Sequence, residues 1–563
     1  MNRTFVILLL LLSVLFTACQ SDEPAIDEGG KTDGKDLGYI AVSIVQPKSV
    51  TARAGTDNNA PSGFEYGTDD ENKATEALFF IFSEDGKSMF GNAQRVPIKG
   101  TGTNDTYAVE RIYDAVLIID GAGTDPTSSA KQVVCVLNAP TNLEQGVTTL
   151  SGLKDKIGNY GASASGSFIM SNSVYYENDT EHIGTIVEGT KIKKSAPEAV
   201  KDPVEVYVER IVAKVRAKAK TGTGNDGFQN TGAHPVVDGE TKNLTINVTG
   251  IEIANIAQSS KLLKDIENIT WPTGVSFENK LCWNAPNYFR SYWEVTPITT
   301  IYSNNTYEQI VKDDFKLDNI NLQEYIQPNT NQNQKTAILV TAQLKDGENA
   351  ADLVYIRGGY TTNNGALALV AQFIANQGYF KKTSAAEVTP EIYSQLNIDD
   401  FEWTNKIDDS SLSLESYEVA AQVKSSVQNI YKMTRDATTG VASYTSSSVA
   451  DVNNFLKSED GLKYKARVYK DGMCYYFVNI DQSKAVELDD GKLEGVVRNH
   501  IYDLTLNSIG GVGVPVFDPT DVIIPETPGD TDLFYLAARI NVLDWRLVTQ
   551  GVNFGENDTP PSE

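Results

Sequence analysis

Apolar and polar positions alternate with a period of two along most of this chain. In GYIAVSIVQP, Ile40, Val42 and Ile44 fall on one face, and Tyr39, Ala41 and Ser43 on the other. Such alternation predicts strands of half-buried antiparallel sheet. ATEALFFIFSEDG and KQVVCVLNAP predict strands of a first domain. KNLTINVTGIEIANI, AILVTAQLKDG, ADLVYIRGG, KYKARVYKDGMCYYFVNI and VVRNHIYDLTLNSI predict strands of a second. Between the halves, residues 202–220 predict one long strand, with Val204, Val206 and Val208 alternating with Glu205, Tyr207 and Glu209. Helical patterns are few: TTLSGLKDKIG, GALALVAQFIANQ and PEIYSQLN. The class is mainly β and sandwich-like.

Breaks in the pattern mark the organisation. Residues 20–37 form a polar tether, and TGTGNDGFQNTGAHP reads as a linker. A proline-rich spacer, VPVFDPTDVIIPETPGDTD, precedes a last strand-like run, FYLAARINVLDWRLVTQGVNF. There Ala538, Ile540 and Val542 alternate with Arg539 and Asn541; the phase slips at Leu543–Asp544, and Trp545 and Leu547 resume an apolar face. The slip suggests a bulge or a junction between two groove segments. Two readings stay open: a strand carried away from its own body by the spacer, or the last strand of its own domain.

The N-terminus, MNRTFVILLLLLSVLFTAC, has an apolar run from Phe5 to Phe16. It is too short to span a bilayer and fits a signal peptide. LFTAC resembles a lipobox and makes Cys19 the expected lipidation site; the alternative is an ordinary signal peptide. Ser21, Asp22 and Glu23 resemble the acidic surface-export signal of Bacteroidetes lipoproteins.

Composition narrows the chemistry. The 563 residues suit two or more domains. A net charge of -26 argues against nucleic-acid binding, which needs a basic footprint. Of four cysteines, Cys19, Cys135, Cys282 and Cys474, the second sits in a buried-strand pattern, and the last two could pair. His182, His234 and His500 lack metal-ligand spacing and are expected in loops or at the surface. SIGGVGVP ends in Pro515 and no helix follows it, so it predicts no phosphate cradle. The aromatic CWNAPNYFRSYWEV suits a core better than a sugar platform. No catalytic residue, metal or cofactor is expected.

Four features in order, the lipobox, TARAGT after the first strand, YVERIVAKV, and VVRNHIYDLTLNSI leading to INVLDWRLV, resemble the fimbrillin family of Bacteroidales. These are the subunits of type V pili, and the short-fimbria stalk type is nearest. Arg498 to Tyr502 and Val542 to Trp545 are the most specific parts. The resemblance implies two transthyretin-like antiparallel β-sandwich domains with few short helices and a C-terminal strand extension. It divides the chain into a signal peptide (1–18), a lipidated propeptide (19–53), domains at 54–220 and 221–513, and a spacer with donor region (514–563). It also implies export to the outer membrane as a lipoprotein, cleavage between Arg53 and Ala54 by an arginine-specific protease, and strand exchange into a cell-surface fimbrium. Implied partners are outer-membrane lipid before processing, a second copy of the chain head-to-tail, and anchor and tip subunits.

On that reading the strand with Ile40, Val42 and Ile44 plugs a groove during export, since an open sheet edge would aggregate. Ile540, Val542, Trp545 and Leu547, after Asp532, would be the donor's groove residues. The alternatives are a tip or anchor adhesin, a glycan-binding surface lipoprotein, or an enzyme with no recognisable residue set.

Overall fold

A computed structural model describes residues 37–47, 67–98, 109–120, 125–161, 166–177, 180–219, 229–267, 293–297, 301–302, 306–312, 322–385, 388–407, 412, 414, 417–482, 494–523, 535–543 and 547–549. The protein is mainly β, as the periodicity predicts.

The first body is built on one eight-stranded sheet. Its strands are β1 (Leu37–Pro47), β2 (Glu76–Ser83), β3 (Gln94–Pro97), β4 (Val109–Asp120), β5 (Lys131–Leu137), β6 (Met170–Asn172) and β7 (Val204–Arg210). They lie in the order β3-β2-β5-β6-β7-β1-β4, and a short strand, Thr185–Val187, also pairs with β5. In β2, Ala77, Phe79 and Ile81 face one core, and Leu78, Phe80 and Phe82 face another. Burial on both faces explains why β2 and β5 read as continuous apolar runs.

The predicted long strand at 202–220 is two strands in two sheets. β7 belongs to the first sheet, while β8 (Ala213–Ala219) lies in a six-stranded second sheet. The inward phase is even-numbered through Val208 and odd-numbered from Ala213, and Ile211 and Val212 are both buried at the change. A phase change of one residue is what moving a strand to another face demands.

In the second body, β9 (Thr245–Ala254), β10 (Leu322–Ile326), β11 (Ala337–Asp346), β12 (Met473–Asn479) and β13 (Ile501–Gly510) surround the largest core. The second sheet continues as β10-β8-β13-β14-β15, where β14 is Tyr535–Leu543 and β15 is Leu547–Thr549. Opposite it, β9, β11 and β12 form a third sheet with Val514–Pro515. KYKARVYKDGMCYYFVNI is interrupted by a turn in which Asp471 and Gly472 have φ of 53° and 72°. A Cβ on Gly472 would collide with the Leu344 carbonyl, so the turn requires glycine there. Residues 353–468 carry a further core of their own, packed around the helix Asn363–Asn376.

Two expectations change. PEIYSQLN, read as helical, contains the strand Tyr393–Gln395, which pairs with Tyr379–Lys382. Its short apolar run suits either period, and the available sheet edge decided. The spacer does not leave the body at once. Val514, Val516 and Ile523 are buried in a cluster with Tyr307, Ile310, Leu339 and Tyr475.

Candidate strand-exchange site

β1 occupies an interior place in the first sheet. It runs antiparallel to β4, with Ile40 opposite Leu117 and Val42 opposite Ala115, and parallel to β7, with Val42 opposite Val204. Ile40 and Val42 are 0% exposed and pack with Phe79, Leu117, Val206 and Val208. Ala41, on the other face, is buried as well. Ile44 stands in register with Tyr113 and Val206. Val42 and Ile44 are thus placed between two strands that would both lose a neighbour if β1 left, and Ile40 is paired with β4. Cys19, Arg53 and Ala54 lie outside the described residues.

The far wall of this place is β4, which pairs with β1 alone among the described strands. Among the contacts that hold it without β1 are two side-chain ties. The Gln94 side-chain amide on β3 donates to the Ile118 carbonyl at 2.8 Å and accepts from the Ile118 N–H at 3.0 Å. The Tyr113 hydroxyl donates to the Asn72 carbonyl at 3.0 Å. Through Gln94, the two ends of the sheet meet. Sequence reasoning missed these residues, because a lone glutamine at the start of a short strand carries no periodic signal.

Behind the site, buried charges join the bodies. Lys214 Nζ lies 2.8 Å from Glu71 Oε1, with the two side chains 5% and 1% exposed. Tyr325 also donates to Glu71, and Arg210 Nε donates to the Glu71 carbonyl at 2.9 Å. Burial works to raise the Glu71 carboxyl, but the hydrogen bonds from Lys214 and Tyr325 and the charge of Arg210 outweigh it and hold its pKa below the usual value. Arg210 Nη1 reaches Asn499 Oδ1 at 3.1 Å, across to the second body. Arg498, fully buried, binds Glu294 at 2.8 Å and the carbonyls of Leu262 and Lys261 at 3.0 and 2.9 Å. Leu262 and Leu263 belong to the first body's core. The Arg498–Tyr502 stretch, which the sequence marked only as a family resemblance, is therefore a clasp between the two bodies. Removing one member of a buried pair costs about 3–5 kcal/mol, because the other charge is left buried.

The predicted donor residues lie elsewhere. β14 pairs antiparallel with β13, with Ile540 opposite Leu504 and Val542 opposite Tyr502. β15 follows, with Leu547 opposite Leu543. The slip at 543–544 thus falls where β14 ends; Trp545 is outside the described residues. The structure does not bring the C-terminal run and β1 together; each is paired within its own sheet.

His234 is exposed, but His500 is fully buried, with Nδ1 2.8 Å from the Arg498 carbonyl. This corrects the surface expectation for His500: the clasp beside it pulls the loop inside. Cys135 is buried in the first core, and burial pushes its thiol pKa up. Cys474 is a buried free thiol, with a pKa pushed to about 12, mainly by burial. A cavity of about 280 Å³ is lined by Ser151, Lys154, Lys261, Asp265 and Glu267, and the ion pairs Lys154–Glu267 and Lys261–Asp265 run along its walls. Among the described residues, no group of three His, Cys, Asp or Glu could hold a metal ion.

Residues 467–551 match the family model for the major fimbrial subunit protein type IV, fimbrillin, C-terminal. This span contains β12, β13, β14 and β15. No curated protein matches the chain. Among solved structures, the chain is similar to a proposed cell adhesion protein from Parabacteroides distasonis, with 11% identity and a TM-score of 0.37 over 92% of this chain and 98% of that one. It is also similar to the tip fimbrial protein Mfa3 of Porphyromonas gingivalis, with 11% identity and a TM-score of 0.29 over 90% and 100%. The fimbrial anchor protein Mfa2 of the same organism aligns at 8% identity and a TM-score of 0.23 over 55% and 82%.

Proposed function

For a chain that carries the C-terminal region of the fimbrillin family, we propose the role of structural subunit of a cell-surface fimbrium, nearest to the stalk type. The precursor is lipidated at Cys19 and held at the outer membrane. Cleavage between Arg53 and Ala54 releases β1, and a neighbour's C-terminal strand takes its place. Head-to-tail repetition of that step gives an open filament.

The observation that carries this reading is the position of β1. The first described strand fills an interior slot between β4 and β7, with Ile40 and Val42 at 0% exposure. Burying those two side chains contributes about 3–6 kcal/mol. Cleavage leaves these contacts intact. It removes the tether, and with it an effective concentration on the order of millimolar that returns β1 to its slot.

The C-terminal strands supply the other half. Among the described strands, β14 sits one strand from the edge of the second sheet, with β15 beyond it. As a hairpin they can leave by breaking the single ladder with β13, which keeps β8 on its other side. A neighbour's slot would then satisfy the backbone of β14 on both sides.

N-terminal sequencing of protein sheared from cells tests the proposal, together with a heated and an unheated gel of the same material. A ladder that collapses on heating, with every rung beginning at Ala54, is the expected result. Material that begins at Cys19 or Gln20 within the ladder rules out plug removal.

A further inference from the structure

We infer that Gln94, with Tyr113, keeps the slot open after β1 has gone; this rests on the strand-exchange reading above. With β1 present, β4 is held along its inner edge. Without it, β4 and β7 stand two strand spacings apart, roughly 9.5 Å, against about 4.8 Å for paired neighbours. β4 is antiparallel to β1, and β1 is parallel to β7. β4 and β7 are therefore antiparallel to each other, and nothing in their directions forbids them from pairing. Both would carry bare N–H and C=O groups beside an apolar gap, so collapse of β4 onto β7 would satisfy them and close the slot to any donor.

Two contacts made by β4, one of them on its far edge, oppose that collapse. The N–H and C=O of Ile118 point away from β1, and the Gln94 amide takes both, as a neighbouring strand would. Gln94 is itself placed by β3, opposite Phe79 of the buried β2. Tyr113 ties the other half of β4 to Asn72, where Arg210 also binds. Between the two ties, Ala115 and Leu117 line the slot. A shift of β4 by one strand spacing would break the Gln94 tie.

The test uses the chain without its signal peptide, before and after opening at Arg53 with an arginine-specific protease, as wild type, Gln94→Ala and Gln94→Glu. The probe is a labelled synthetic peptide of residues 533–551, whose uptake is followed by anisotropy. Hydrogen exchange at the Ile118 amide is followed in parallel. Uncut, the three proteins should melt together, because β1 holds β4. After cutting, Gln94→Ala should expose the Ile118 amide and take up peptide about tenfold more slowly. Gln94→Glu keeps the acceptor for the Ile118 N–H but loses the donor to its carbonyl, and should fall between. Equal, measurable uptake by cut wild type and cut Gln94→Ala would overturn the inference, as would equal Ile118 exchange in the two. Wild type that takes up no peptide while only Gln94→Ala loses Ile118 protection would overturn the strand-exchange reading and leave the tie to β4 supported.

Discussion

β1 and β14 are the first and last long strands described, and they are held in opposite ways. β1, eleven residues long, is inserted between β4 and β7. β14, nine residues long, is paired with β13 on one side and with only the three-residue β15 on the other. To extract β1, two ladders and a buried apolar row must open at once. To extract β14 and β15 together, one ladder must open. The difference explains why the two ends would need different triggers. On the proposed reading, the interior strand would need a covalent cut before it could be lost, while the strand near an edge would exchange without one.

The most severe way to break this comparison is to keep β1 tethered. Arg53→Ala should leave a lipid-bearing precursor and no filament at all, read as a missing ladder on an unheated gel. Filaments assembled from the uncut variant would mean that β1 is not the obstacle. Deleting residues 533–563 attacks the other end. Polymer should be absent, cleavage at Arg53 should continue, and the monomer should keep a cooperative melting transition at a lowered temperature. A monomer with no transition would show that β14 belongs permanently to the second body, the alternative left open by its sequence.

A smaller effect sharpens the contrast. Ile40→Ala should destabilise the uncut protein by about 2–5 kcal/mol, the usual range for truncating a buried aliphatic side chain. Once β1 has been cut away, the same variant should melt as wild type does. Denaturant titration before and after cleavage checks this, and a deficit that survives cleavage would show that β1 stays in its slot.

The smallest effect is the pH dependence of the clasp behind the site. The Glu71 carboxyl is held below its ordinary value of 4.5. A carboxyl lowered on folding adds stability that is fully present above the unfolded value and is lost as pH falls through the folded one. Stability should therefore decline below about pH 4.5, and Glu71→Gln should flatten that part of the curve. An unchanged acid profile in the variant would mean that other carboxyls carry the decline.

Much of this could be read from residues alone. The alternation in GYIAVSIVQP placed Ile40 and Val42 on one face, and both are buried on that face. The continuous run LFFIF fits a strand buried on two faces. The turn at Asp471–Gly472 was less visible, since KYKARVYKDGMCYYFVNI keeps its strand character on both sides of it. His500 was misplaced because its environment is set by Arg498 and by residues more than 200 positions away, Glu294 and Leu262. Gln94 was invisible for the same reason: its partner, Ile118, is on a strand with which β3 shares no ladder.

The sequence by itself determined most of the strands and their inward faces, because a period of two is a local property of neighbouring side chains. It also determined that the chain carries apolar strands near both ends with a polar loop after the first. Only the tertiary structure decided which strands are neighbours: that β1 stands between β4 and β7, that residues 204–219 serve two sheets, and that β14 pairs with β13. Strand pairing joins backbone groups that are identical at every residue, so the choice of partner leaves little mark on any one segment. Buried charges behave alike. Arg498 and Glu71 would be costly alone, and only the fold supplies the distant partners that make their burial tolerable.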